Sequence, residues 1–282
     1  VKKKQWLLIG SGLLAFILLF VFGKTIPPHK KVIPATNAGV ARQPSISFET
    51  LLAKAKEHIG PDQAMRLTRL ENAVVRGDVK EQQIHVYHQL ARFWSDSARV
   101  FEPYAYYTAE AAKLENSEKS LTFAAHLFLD NLMTEGNPAM QNWLATNAKV
   151  LLEKAITINP ANDSSRIGLG ACYMFGNISD NPMQGILPVR EIVTKHPDNL
   201  YGQMILGLGG KRSGQYDKAI ERFKIVVKQQ PSNLEAVFHL AECYDLHGEK
   251  TNAIQWYETA KKLIQVPEAK AEIDKRIIEL KK

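Results

Sequence analysis

Residues 215–260 read QYDKAIERFKIVVKQQPSNLEAVFHLAECYDLHGEKTNAIQWYETA. Ala219, Phe223 and Val226 share one face of a helix by their i, i+4, i+7 spacing, and Pro231 ends that stretch. Leu240-Ala241 and Tyr244 mark a second helix, and Ala253, Tyr257 and Ala260 a third. The third restates the first, small residue then large then apolar, 34 residues further on.

The same pattern extends upstream. Pro160, Pro197 and Pro231 each close a helical stretch (AITINP, IVTKHP, VVKQQP), and they lie 37 and then 34 residues apart. Setting repeats at 163–199, 200–233 and 234–267 aligns Leu169-Gly170, Leu206-Gly207 and Leu240-Ala241, followed by Tyr173, Gly210 and Tyr244. On the second helix of each repeat, Gly185, Ala219 and Ala253 align, then Val189, Phe223 and Tyr257, then Ile192, Val226 and Ala260. A helical period near 34 predicts stacked helix pairs, an architecture built for binding before catalysis.

On these residues the chain resembles the tetratricopeptide repeat family. The resemblance implies an all-α, right-handed solenoid of helix hairpins, in which small residues let paired helices approach and large ones fill the gaps between hairpins. The chain departs from the family pattern where a tryptophan is usual: Arg166, Gln203 and Val237 stand there instead. The first repeat also has about three extra residues at GNISDNPMQG, residues 176–185. In the family, the first helix of each pair lines the concave face. That implies a groove of Ile167, Ala171 and Met174, then Met204, Leu208, Lys211 and Arg212, then Phe238, Glu242 and Asp245. Lys211 and Arg212 are its only basic pair, so a clamp for a C-terminal carboxylate is not expected. An apolar, methionine-containing face with a charged edge suits a protein partner presenting an unfolded or amphipathic segment. The alternative is that these residues pack on the chain's own upstream helices or on a second copy.

Upstream, residues 48–162 carry helix signals and no convincing strand, with weaker hairpin patterns. Ser47 caps a helix with Leu51, Leu52, Ala55 and Ile59, and Asp62 caps one with Met65, Leu70 and Val74 on its face. Ile84, Tyr87, Leu90, Ala91 and Trp94 predict a third, Tyr104 to Leu114 a fourth, Leu121 to Met133 a fifth, and Ala139 to Ile158 a sixth. Residues 268–282, with Ile273, Ile277 and Leu280 on one side, predict a capping helix whose charged outer face keeps the end of the stack soluble.

The N-terminal part is different in kind. Residues 1–5 are basic, and the run from Trp6 to Phe22 has no charge; residues 6–23 read as a retained transmembrane helix, with a cleaved signal peptide as the competing reading. Residues 24–47, rich in proline and small polar residues, predict a disordered linker. The expected localisation is single-pass in an inner (cytoplasmic) membrane, with the repeats in a periplasm-like space. The first 47 residues hold seven Lys or Arg and no acid, against 36 basic and 29 acidic residues in the whole chain, so 48–282 is balanced at 29 and 29. The basic excess flanks the apolar run, as membrane topology uses it, and nucleic-acid binding is not expected.

Chemistry finds little support. His85 and His88 share a helix face with Glu81 but lack the spacing of a metal set, and Glu242, Asp245 and Glu249 read as a wetted acidic row. LGLGGKRSG, residues 206–214, lacks both the phosphate-loop pattern and a preceding strand. Cys172 and Cys243 sit two repeats apart and predict small buried side chains. No catalytic residue, metal or cofactor is expected. The leading expectation is a membrane-anchored scaffold or chaperone-like protein of the cell envelope. The rival expectations are an architectural subunit of a permanent membrane complex and an organelle import receptor with a cytosolic repeat domain.

Overall fold

Pro160, Pro197 and Pro231 each stand two residues ahead of an asparagine that starts the next helix. In the computed structural model, which describes residues 46–76 and 79–282, the side chains of Asn162, Asn199 and Asn233 accept from the amides of Ser165, Gly202 and Ala236 at 2.9–3.0 Å. Each satisfies an amide the helix cannot pair itself, worth about 1 kcal/mol apiece. Proline stops one helix and asparagine begins the next, so the chain turns back at every repeat.

The described residues form thirteen helices and no strand. The first four are α1 (Phe48–Lys56), α2 (Pro61–Arg76), α3 (Lys80–Arg92) and α4 (Phe101–Glu115). Next come α5 (Glu118–Leu132), α6 (Pro138–Ile158), α7 (Asp163–Phe175) and α8 (Met183–Lys195). The last five are α9 (Leu200–Arg212), α10 (Tyr216–Gln229), α11 (Leu234–Leu246), α12 (Lys250–Leu263) and α13 (Pro267–Leu280). Helices pack mainly on their successors, with the closest pairing in the hairpins α3–α4, α5–α6, α7–α8, α9–α10 and α11–α12.

Three hydrophobic clusters follow one another along the chain. The first joins α1 to α4 around Leu90, Phe93 and Trp94. The second runs from α4 to α9, with Leu51 of α1 added, and holds Phe128, Leu152, Ile167 and Val189. The third joins α10 to α13 around Phe223, Leu240 and Ile277. Leu208 touches the second and third, and Phe48 and Tyr106 touch the first two, so the clusters meet at seams. Such a core is an array of neighbour contacts rather than a single centre.

Small residues set the distance within hairpins. A Cβ on Gly170 would run into Val189 and the carbonyl of Gly185, so α7 and α8 touch backbone to backbone. Gln203, at a place where the family has tryptophan, is buried yet satisfied: its amide donates to the Pro197 carbonyl at 2.8 Å and accepts from Arg222 at 2.9 Å. Glu118, at the start of α5, accepts from Asn159 and from the capping Asn162, which ties α5 to the turn between α6 and α7. Those two bonds, Asn162 first, hold its carboxyl below the usual range.

Two helix readings change. In α2 the buried residue is Leu67, while Met65 is 55% exposed. Two residues at about 100° each put Met65 on the opposite side from Leu67, so the inward face is Leu67, Leu70 and Val74. After α3 the chain does not continue as a regular helix to Trp94 but widens into a π turn at Phe93–Ala98. That turn buries the adjacent Phe93 and Trp94 together, edge to face at 5.2 Å. It closes at Arg99 with a positive φ of 56°.

The expectation of a single-pass inner-membrane protein with a periplasmic array is corrected. Among the described residues no helix is long and apolar enough to cross a membrane. The segment 6–23 that carried that expectation, and nearly all of the linker 24–47, lie outside the described residues.

Candidate functional site

The ten groove residues do not form one open surface. Ile167 and Ala171 are fully buried, which corrects their expected place on an exposed face. Tyr201, from α9, packs over the cluster that holds both, and its ring reaches His126 of α5 at 5.8 Å. Burial raises its hydroxyl pKa well above the tyrosine norm. The first helices of successive hairpins therefore close on one another in the middle of the array. Met174 goes elsewhere: with Met183, Leu206 and Arg222 it lines a cavity of about 440 Å³ among α7 to α10.

Lys211, Glu242 and His239 form a compact polar group. The Lys211 ammonium pairs with the Glu242 carboxylate and approaches His239 Nδ1 at 3.2 Å. His239 Nδ1 lies 2.9 Å from the same carboxylate oxygen. Burial opposes ionisation of Glu242, but the bonds from His239 and Lys211 prevail and hold its carboxyl below the usual range. Arg212 turns back instead, donating to the Phe175 carbonyl at 3.1 Å with its guanidinium over the Phe175 ring. Lys211 and Arg212, adjacent in sequence, thus serve different neighbours.

Met204, Leu208 and Phe238 are half-buried against the last cluster. Phe238 also lines an apolar slot of about 360 Å³ with Tyr257, Ile264 and Ile273, and with Glu272 and Arg276 at its edge. Phe238 and Tyr257 meet edge to face at 6.0 Å. Asp245 is committed to that edge: it takes two bonds from Arg276, at 2.7 and 2.8 Å, and one from the Tyr257 hydroxyl at 3.2 Å. The slot therefore lies where α11, α12 and the capping helix α13 converge. Arg276, Ile264 and Tyr201 were not legible as site residues, because each acts through packing between helices distant in sequence.

The residues considered for chemistry are separated. His88 pairs with Glu115 at 2.6 Å, and His85 with Gln89 at 2.9 Å. Glu249 is held below the usual carboxylate range by His247, then by Asn252. Cys172 and Cys243 are buried free thiols. Among the described residues no three His, Cys, Asp or Glu side chains gather as a metal site would require.

The solved structures similar to this chain include the MamA protein, at 16% identity over 64% of this chain and 91% of that one, with a TM-score of 0.42. MamA from Desulfovibrio magneticus RS-1, residue 41 to its end, is 18% identical over 66% of this chain and 96% of that one, with a TM-score of 0.43. YrrB, described as a TPR protein with an unusual peptide-binding site, is 15% identical over 73% of this chain and 97% of that one, with a TM-score of 0.41. No curated protein sequence matches the chain. Residues 211–268, from the last turn of α9 through α10, α11 and α12 to the start of α13, match the tetratricopeptide repeat family.

Proposed function

We propose that the chain is a protein-binding scaffold, and that its slot between α11, α12 and α13 takes an apolar side chain from an unfolded or amphipathic segment of a partner protein. The observation that carries this is the slot itself, an apolar recess of about 360 Å³ floored by Phe238 and Tyr257. Recesses of this size in an otherwise packed molecule are where ligands gain apolar contact. The ion pair between Arg276 and Asp245 holds one edge in place, so little has to be ordered on binding. Met204 and Leu208 extend the apolar strip along α9. The role is one of capture, with no catalytic residue, cofactor or metal assigned.

Panning a displayed library of short random peptides on the purified full chain tests this. Peptides with large apolar anchors are expected to be enriched. Phe238→Asp and Met204→Asp are expected to abolish their capture while circular dichroism stays helical. Capture that survives both substitutions overturns the assignment.

A second reading draws on Tyr201, which packs against the cluster that buries Ile167 and Ala171. A face already filled by its own chain suits an architectural subunit of a fixed assembly. A constant stoichiometric complex in native mass measurement would favour that reading.

A further inference from the structure

A second recess lies toward the other end of the described chain. The first helices of later hairpins pack side by side: α5 on α7, α7 on α9, α9 on α11. α3 and α5 do not pack in this way, and a cleft of about 560 Å³ opens between them with α4 as its floor. Tyr104 supplies apolar surface on the floor, above the buried Ala112, and the π turn shapes the α3 wall.

The charges in the cleft are not equally occupied. Glu115 is paired with His88 at 2.6 Å, whereas Asp96 accepts from the neutral Ser95 hydroxyl at 2.6 Å and keeps its charge. Arg92, on the α3 wall, and Lys119, on the α5 wall, are both exposed and have no acidic partner among the described residues. Among the described residues the two unpaired cations of this cleft thus outnumber its one carboxylate without a cationic partner, Asp96, and they stand on opposite walls with Tyr104 on the floor between them. Phe123 stands at the lip with 57% of its surface exposed, carrying the apolar surface past the mouth. An occupant that uses it extends beyond the recess, which fits a length of polypeptide better than an enclosed small molecule.

We infer that this cleft binds a polypeptide segment in which large apolar side chains are flanked by carboxylates. The apolar residues lie on Tyr104 and Phe123, and the carboxylates meet Arg92 and Lys119. Ion pairs at such a rim steer the ligand and choose its sign more than they add affinity. The site is separate from the slot at Phe238 and stands independently of it.

The test uses two labelled helical peptides of the same Leu and Phe pattern, one with Glu at every polar position and one with Lys. Each is titrated by fluorescence polarisation into the full chain carrying Phe238→Asp, which blocks the slot. The Glu peptide is expected to bind, more weakly as salt rises, and the Lys peptide to bind poorly. The double variant R92E/K119E should weaken the Glu peptide by on the order of tenfold or more and improve the Lys peptide. Phe123→Asp, added to the Phe238→Asp background, should weaken the Glu peptide, and because the slot is already blocked there the loss reports on this cleft alone. All three substituted cleft residues are exposed, so the fold is not at risk. Failure of the Glu peptide to bind, equal binding of both peptides, or Glu-peptide affinity indifferent to both R92E/K119E and Phe123→Asp overturns the proposal.

Discussion

Arg276 of α13 grips Asp245 of α11 through two parallel bonds, Nε to Oδ2 at 2.7 Å and Nη2 to Oδ1 at 2.8 Å. The Asp245 side chain is 9% exposed and that of Arg276 47%, so the pair sits half in solvent. It fastens the capping helix across α12 to the last repeat. A double-mutant cycle on Arg276→Ala and Asp245→Ala should return a coupling of about 1 kcal/mol, as expected for a partly screened pair. Arg276→Lys should not restore it, because an ammonium cannot match both carboxylate oxygens. A coupling indistinguishable from zero would remove the pair from the account of how α13 is held.

Gly207 faces the ring of Phe223 across the α9–α10 hairpin, and a Cβ there would lie 2.7 Å from Cε1 of that ring. Phe223 is fully buried and has little room to yield. Gly207→Ala gains about 1 kcal/mol of helix propensity but meets an overpacking cost of about 1–3 kcal/mol. The expected net result is a lower urea midpoint. Adding Phe223→Leu should relieve the clash, so the double variant should lose less than the sum of the two single changes. Strict additivity would show that the close approach is not what requires glycine.

Ser165, in the first turn of α7, presents the opposite case. Its hydroxyl is fully buried and has no hydrogen-bond partner. Leaving such a group unpaired costs about 1–3 kcal/mol, and alanine keeps the Cβ while removing the oxygen. Ser165→Ala should therefore raise the unfolding temperature and the urea midpoint. The Asn162 cap bonds the backbone amide of Ser165 and is untouched by the change. A destabilised variant would mean that the hydroxyl is satisfied in solution.

The helices and their small-residue contacts were legible because they depend on local pattern. Gly170, Gly185, Ala219 and Ala253 could be picked out by their place in a period, and all four are buried at helix contacts. The recurring Asn162, Asn199 and Asn233 caps carried an equally regular signal, since each follows its proline by two residues. The inward face of α2 was misphased because Met65 and Leu67 are both apolar, and only packing against the first cluster selects Leu67. The site was less legible for the same physical reason. Whether Ile167 faces a groove or a neighbour depends on how closely α9 approaches α7, and Gly202 of α9 lies against Ile167 from more than thirty residues away. The Phe238 slot needs α13 as its third wall, and no periodicity in α11 announces it.

Buried acids of high pKa make alkaline pH the condition that weakens this fold. Burial pushes the Cys172 thiol up to about 12 and the Cys243 thiol up to about 11. It likewise raises the Tyr106 hydroxyl to about 12, with Tyr107, Tyr201 and Tyr257 displaced in the same direction. In the unfolded chain these thiols ionise near pH 8.5 and the tyrosines near pH 10. Above about pH 9 the unfolded chain therefore releases protons that the folded chain keeps, and the folded state binds more protons than the unfolded one. Stability must then fall as pH rises, from a full contribution below about pH 9 to progressive loss toward pH 11–12. Urea midpoints should agree between about pH 7 and pH 8 as far as these groups are concerned, and drop by about pH 10.5. Cys172→Ala with Cys243→Ala should flatten the first part of that decline, since the thiols titrate before the tyrosines. In the folded chain at about pH 8 neither thiol should react with a disulfide reagent, whereas both should react in denaturant. A flat alkaline midpoint, or prompt native reactivity at Cys172, would show that the burial seen here does not persist in solution.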